Sequence, residues 1–503
     1  MSLSARQRFA IVVPQHRAWS WHQTLITTLR SSSDVDVYTS ADAPVYPLLL
    51  RLWMRLEGQL LGELDLVKIA PISIRPCRDV VNGNYSLILN LSEAKIPNVS
   101  APVLEPRFDG FADSLRLFTA LLNRKSPYIS IHFAGREEPS VGSYLAIQDK
   151  TVLIRGLQVS FARLLVLIYR AVQHAAQGSC AAVPPRPGKF SQELRTTTIS
   201  RFIARFFLEK LLIRHIRRFQ LEEHWSVGLL WSSKWEIPNG VALHQFAILP
   251  DDRRRCYADP FVFTNEGQKW LFVEELDYKT GKGVISCTQV INGEKTASPR
   301  PVLVRPYHLS YPFIFRHGDQ IYMLPETGSN RTVELYRSRS FPFDWVLCRV
   351  LMKDIELYDS TLLWHKDKWW IFGAVAINGG SSQDELAIFF SEHLEGPWRP
   401  HRMNPVKSDC RSARPAGKII MCGDRLLRPA QDCEDGYGAA LVWLEIEELT
   451  TERFREREVA RWPGSAVFEA DGLHTFNWDQ GLGVIDIRRK LWKRARCRTA
   501  ALS

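Results

Sequence analysis

At 503 residues the chain is too long for one ordinary core, and two or three domains are expected. A hydrophobic content of 45% with 24% charged residues reads as soluble and globular. The net charge of +11 favours an anionic partner such as anionic lipid or an acidic glycan; with no recognisable nucleic-acid module, nucleic acid is set aside.

The first zone runs from Arg8 to Gln177. "RFAIVVP" reads as a buried strand, "WSWHQTLITTLR" as a helix and "DVDVYTS" as a second strand. "PLLLRLWMRLEGQLLGEL" has the three- and four-residue apolar spacing of a helix, and "YSLILNLS" and "YISIHF" are further strands. Strands alternating with helices predict an α/β sheet. The glycine-rich phosphate loop of a dinucleotide fold is missing after the first strand, which continues "VPQHRAW". "LLVLIY", within Phe161–Val172, is too short to span a bilayer.

A connector follows over residues 178–223: the stiff, Pro-rich "AAVPPRPG", then an amphipathic basic helix over Ile199–Phe219. That helix is either a strut packed between domains or a segment lying on an anionic membrane surface.

From 224 to 489 one pattern recurs: strand, polar turn, aromatic strand, acid. The copies are "DPFVFTNEGQKWLFVEE" (Asp259–Glu275), "YPFIFRHGDQIYMLPE" (Tyr311–Glu326), "DSTLLWHKDKWWIFG" (Asp359–Gly373), "ARPAGKIIMCGDRLLRPAQD" (Ala413–Asp432) and "GLHTFNWDQGLGVIDI" (Gly472–Ile487). A repeat of roughly 50 residues marks one four-stranded blade each, and five blades predict a five-bladed β-propeller. Inner strands of a propeller start near the central axis. Asp259, Tyr311, Asp359, Arg414 and His474 stand at those starts, and Glu275, Glu326 and Asp432 end the second strands. All are expected around one pocket, although acids at hairpin ends also cap turns. A basic tail, 490–503, closes the sequence.

The nine cysteines show no CxxC spacing and are odd in number, which argues against a zinc site and a disulfide framework. No cofactor or metal is implied. With no signal-peptide h-region at the N-terminus, the chain is expected in the cytoplasm, with the inner membrane face as a peripheral location.

"ADPFVF", "SYPFIF", "YMLPET", "VELYR", "FPFDW", "YDSTLLW", "WWIFG", "LEGPWRPH", "ARPAG", "RLLRPAQDC" and "HTFN" occur in this order. They resemble the N-terminal β-propeller of plant glucosamine inositolphosphorylceramide transferases and their bacterial relatives, itself similar to the five-bladed propellers of glycoside hydrolase family 43. In the plant enzymes sugar transfer is attributed to a separate C-terminal domain, for which this sequence is expected to have no room. Bacterial relatives often carry a formyltransferase-like domain in front of the propeller. Residues 1–177 resemble it in layout, with His132 as a remnant of its active-site His and formyl transfer itself not expected.

The family 43 resemblance implies Asp259 as general base and Asp359 as the acid that orients and tunes. Its fourth-blade acid is absent: "SDCRSARPAG" places Arg411 and Arg414 there, and Glu395 belongs to the end of the preceding blade. Glu326 or Glu275 would then donate the proton, and Glu326 is the choice. Arg414, Arg428, Gln431, Asp432, His474, Tyr311 and Glu275 are expected to bind substrate, since guanidinium forks suit phosphate or carboxylate. Arg428 and Asp432 have a second reading, as a pair that pins a blade. The expected ligand is a glycan, a sugar phosphate or a lipid-linked sugar. Three functions follow: an enzyme cleaving or transferring glycosyl groups in surface polysaccharide or glycolipid metabolism, a non-catalytic glycan-binding or scaffold module, and a membrane-surface adaptor.

Overall fold

The computed structural model describes residues 7–15, 18–40, 46–62, 64–68, 75–76, 83–96, 99–177, 193–216, 221–232, 243–294, 296–467 and 470–492. The Pro-rich segment and residues 493–503 of the basic tail lie outside them, as do residues 217–219 of the expected basic helix. The chain forms two compact units, residues 1–211 with 377–381, and residues 212–376 with 382–503.

The first unit contains β1 (Arg8–Pro14), α1 (Ser20–Arg30), β2 (Asp34–Ser40), α2 (Leu48–Leu61), β3 (Arg75–Pro76), β4 (Leu87–Asn90) and β5 (Val103–Phe108). They are followed by α3 (Leu115–Leu122), β6 (Tyr128–Phe133), β7 (Val141–Tyr144), α4 (Leu153–Gln177) and α5 (Thr196–Ile216). The sheet order is β3-β2-β1-β4-β5-β6-β7. β1 pairs parallel with β2 and β4, and β6 runs antiparallel to β5 and β7. Both faces of β1 are covered, which is why "FAIVV" is a continuous apolar run rather than an alternating one. The start of α4 is fixed from α2: the buried Glu57 carboxylate accepts from the amides of Leu153 at 3.2 Å and Ile154 at 2.9 Å, an anion at a helix N-terminus. Ile199, Phe202 and Phe206 of α5, at helical spacing, are buried in this unit's core. The boundary at 177 read from the Pro-rich stretch is therefore displaced: α5 belongs to the first unit through residue 211, because its apolar stripe is packed there.

The second unit has five sheets, each built from consecutive strands except the last. Blade 1 starts at Arg255–Asn265, blade 2 at Ser310–His317, blade 3 at Leu357–His365 and blade 4 at Ile420–Cys422. Blade 5 joins Phe476–Asp479 and Leu482–Trp492 to Leu221–Trp231 and Ala247–Ile248, so strands from the two ends of the propeller sequence close the ring. This leaves no open blade edge between first and last repeat.

Three blades share one backbone irregularity. The pairing of the first two strands shifts register between Ala258 and Phe261, Ser310 and Phe313, and Tyr358 and Thr361. Asp259, Tyr311 and Asp359 sit in these bulges at φ of +48°, +46° and +53°. Left-handed backbone at such residues costs on the order of 1–2 kcal/mol each and persists only where neighbours hold it.

Candidate functional site

The bulges aim their residues at common partners. The Asp359 carboxylate accepts from Arg414 Nε at 2.5 Å, from Arg414 Nη2 at 3.3 Å and from Gln431 Nε2 at 2.8 Å. Its amide donates to Glu326 Oε2 at 2.9 Å, and Arg414 Nη2 stands 3.8 Å from that oxygen. The guanidinium also lies over the rings of Tyr358 and Tyr437, 5.5 and 5.2 Å from their centroids. Burial, and then the Asp359 charge, push the Glu326 carboxyl well up, so Glu326 holds a proton into conditions where an ordinary glutamate is ionised.

Asp259 anchors the other half. Its Oδ2 accepts from the Tyr311 amide at 3.1 Å and its Oδ1 from the Thr475 hydroxyl at 2.9 Å. His474 lies between two carboxylates. Its Nε2 is 3.4 Å from Asp259 Oδ1, and its Nδ1 is 2.5 Å from Asp486 Oδ2 but off the line a hydrogen bond needs. Asp486 also accepts from the amides of Asp259, His474 and Thr475. Burial raises Asp259 to about 7, with His474 opposing the shift. Burial pushes His474 down, but Asp486 outweighs it and lifts the imidazole to about 8. The ring packs against Trp225 at 4.1 Å and edge-on to Tyr437 at 5.0 Å. Asp259, His474 and Asp486 offer ligand atoms within 4.8 Å of one another, and these three are the set able to hold a metal ion among the described residues.

Tyr311 ties the two halves together. Its hydroxyl contacts Thr361 Oγ1 at 2.7 Å and accepts from the Gly417 amide at 2.6 Å. Asp259, Tyr311, Glu326, Asp359, Arg414, Gln431 and His474 are thus linked through direct contacts and shared neighbours. Asp259, Tyr311, Asp359 and Gln431 are almost fully withdrawn from solvent, so the partly exposed Glu326, Tyr358, Tyr437 and Trp225 form the accessible part.

Residues 219–468 match the family model for "Glucosamine inositolphosphorylceramide transferase 1, N-terminal". The propeller is of that N-terminal type. The glucosamine inositolphosphorylceramide transferase 1 of Arabidopsis thaliana is 34% identical over 253 residues, which are 49% of this chain and 32% of the relative. The rice protein of that name (subspecies japonica) is 33% identical over 229 residues, 45% of this chain and 31% of the relative. The match therefore spans about a third of the length of these relatives. Among solved structures, the catalytic domain of a Coprinopsis cinerea α-L-arabinofuranosidase is 12% identical with a TM-score of 0.36, covering 53% of this chain and 97% of its own.

Three residues expected in the pocket of this propeller are engaged elsewhere. Glu275 is bound by Arg255 Nη1 at 2.5 Å and Ser286 Oγ at 2.7 Å within blade 1. The register explains the difference. Ser310 pairs with Glu326 just before the blade 2 bulge, and Ala258 pairs with Glu274 in blade 1, so Glu274 is the counterpart of Glu326. A one-residue offset turns Glu275 to the opposite face. Glu274 faces His308 at 3.1 Å, and both act electrostatically on Asp259 or are acted on by it. Asp432, next to the inward Gln431, is turned outward in the same way and pairs with Arg461. Arg428 is fully buried against Glu456, with contacts at 2.7 and 2.8 Å, and donates to the Ser412 carbonyl at 2.6 Å. It pins blade 4, but through Glu456 rather than Asp432. Arg411 is occupied by Asp409 at 3.0 Å.

Sequence reading also missed Glu274, Asp486, Tyr358 and Tyr437. Asp486 had a signal: an acid inside the apolar run "GVIDI", where a buried strand carries none without a partner. In the first unit, His132 is buried with Nε2 2.9 Å from Ser130 Oγ, and burial lowers its imidazole to about 4.

Proposed function

We propose that the propeller pocket cleaves or transfers a glycosyl group in surface polysaccharide or glycolipid metabolism. The observation that carries this is the pairing of Glu326, pushed towards its protonated form, with the Arg414-clamped Asp359 at a partly open mouth. Glu326 acts as general acid on the leaving oxygen and Asp359 orients Arg414. Asp259, at about 7, accepts a proton at neutral pH and serves as base. Tyr358, Tyr437 and Trp225 offer ring faces on which a sugar stacks. The relatives' name, glucosamine inositolphosphorylceramide transferase, points to a lipid-linked or phosphate-bearing glycan as the class to try first.

The test is turnover of glucosaminyl and other glycosyl phosphoinositides by the full chain. Glu326→Gln and Asp259→Asn should abolish it while leaving ligand affinity within a few-fold, about 1 kcal/mol. If the wild type binds such a glycan and turns over none of the panel, the enzymatic reading fails.

One observation favours a second reading, a glycan-binding module. Both carboxylate oxygens of Asp259 and both of Asp359 already accept from the protein's own donors, as structural pins do. We also read the first unit as formyltransferase-like, supported by its sheet order and the placement of His132 on β6, with no formyl transfer expected.

A further inference from the structure

Helix α2 has a second apolar side. Leu50 and Trp53 enter the core of the first unit, yet Leu48, Leu52, Leu56 and Leu60 are 63%, 51%, 37% and 61% exposed. Steps of four residues advance about 40° around a helix, so these leucines form one slanting ridge beside the buried face. Arg51 and Arg55 are exposed along its outer edge. The helix has one acid, Glu57, and it is buried on the core side. The apolar surface continues onto α5, where Phe207 and Leu208 are 47% and 56% exposed and the Phe207 ring meets Trp53 edge-on at 5.9 Å. Arg201 and Arg205 are exposed on that helix, Arg201 donating to Asn123 and Arg205 pairing with Glu209, each at 3.2 Å. With Leu61, seven of the fourteen large apolar side chains exposed among the described residues lie on these two helices. That is clustering rather than ordinary scatter.

We propose that this face of α2 and α5 docks the protein on an anionic bilayer surface. The charge pattern selects this occupant. Leucines edged by arginines, with no exposed acid on α2, fit acyl chains below and anionic headgroups beside them. A second copy meeting this face through a two-fold axis would bring arginine rows towards each other. The inference stands apart from the glycan pocket, which belongs to the other unit.

The experiment is sedimentation of the full chain with phosphatidylcholine vesicles, with and without about a third phosphatidylglycerol. Binding should require the anionic lipid. Leu52→Glu with Leu56→Glu should weaken it at least about tenfold, and Arg51→Gln with Arg55→Gln should remove most of its dependence on anionic lipid. Leu48→Glu with Leu60→Glu, at the two most exposed positions, repeats the test should the first pair unfold the helix. Absence of vesicle binding overturns the proposal, as does binding that survives both leucine pairs. So does light scattering that shows a wild-type dimer made monomeric by them, for then a second copy covers the ridge.

Discussion

The amide of Asp359 donates to the carboxylate of Glu326 at 2.9 Å, so an acid ending the second strand of blade 2 holds the bulge in the first strand of blade 3. Asp486 in blade 5 does the same for the amide of Asp259 in blade 1, also at 2.9 Å. The strained bulges are therefore held from the neighbouring blade. Glu326→Gln keeps an acceptor and should change stability by under about 1 kcal/mol. Glu326→Ala leaves a buried amide unpaired and should cost about 1–3 kcal/mol. Urea denaturation distinguishes them; equal losses would remove the bulge-holding role.

Alkaline pH should weaken the propeller. His474 is raised from 6.5 to about 8 in the fold, so its stabilisation is complete below about 6.5 and lost as pH rises through about 8, on the order of 2 kcal/mol. Asp259 is raised from 3.8 to about 7, so its contribution is complete below 3.8 and lost by the time pH has risen through about 7, leaving the further alkaline loss to His474. Melting temperature should drop between about pH 6 and 9. His474→Gln should flatten that slope, and an unchanged slope in the variant would refute the assignment.

Acid acts through a different residue. Burial alone would raise Glu456, but Arg428 and Lys407 hold it down at about 2. Its stabilisation is present above 4.5 and lost as pH falls through about 2, about 3 kcal/mol in all. Glu456→Gln should destabilise at neutral pH by roughly 3–5 kcal/mol, because Arg428 keeps a buried charge without its partner. It should also blunt acid unfolding and leave glycan affinity in the folded fraction unchanged. A loss of affinity there would return Arg428 to the pocket.

Gly417 has φ of +130°, and a Cβ there would stand 1.9 Å from the Phe476 carbonyl oxygen. Its amide donates to the Tyr311 hydroxyl at the centre of the site. Gly417→Ala should therefore cost several kcal/mol, on the order of 2–4. Ligand binding should weaken by more than the unfolded fraction explains. A neutral substitution would mean that blades 4 and 5 separate easily at this point.

Glu274→Gln should change glycan affinity or its pH dependence, because Glu274 faces His308 and its charge acts on Asp259. Glu275→Gln should change neither, since its partners are Arg255 and Ser286. Titration calorimetry of both variants against the same glycan decides; the reverse result would place the blade 1 register one residue off.

The repeat of strand, turn, aromatic strand and acid was legible in the sequence because alternating burial and turn chemistry are local, and local patterns survive in one dimension. So were the starts of the inner strands, where Asp259, Tyr311 and Asp359 stand at one position of that repeat. What the tertiary structure decided was facing. Whether Glu274 or Glu275 looks inward depends on a bulge that shifts the register, and a pleated strand reverses its side chains with every residue. Arg428 meeting Glu456 depends on how the strands of blade 4 pair, and Asp486 supporting Asp259 depends on blade 5 lying beside blade 1, distances that no spacing along the chain encodes.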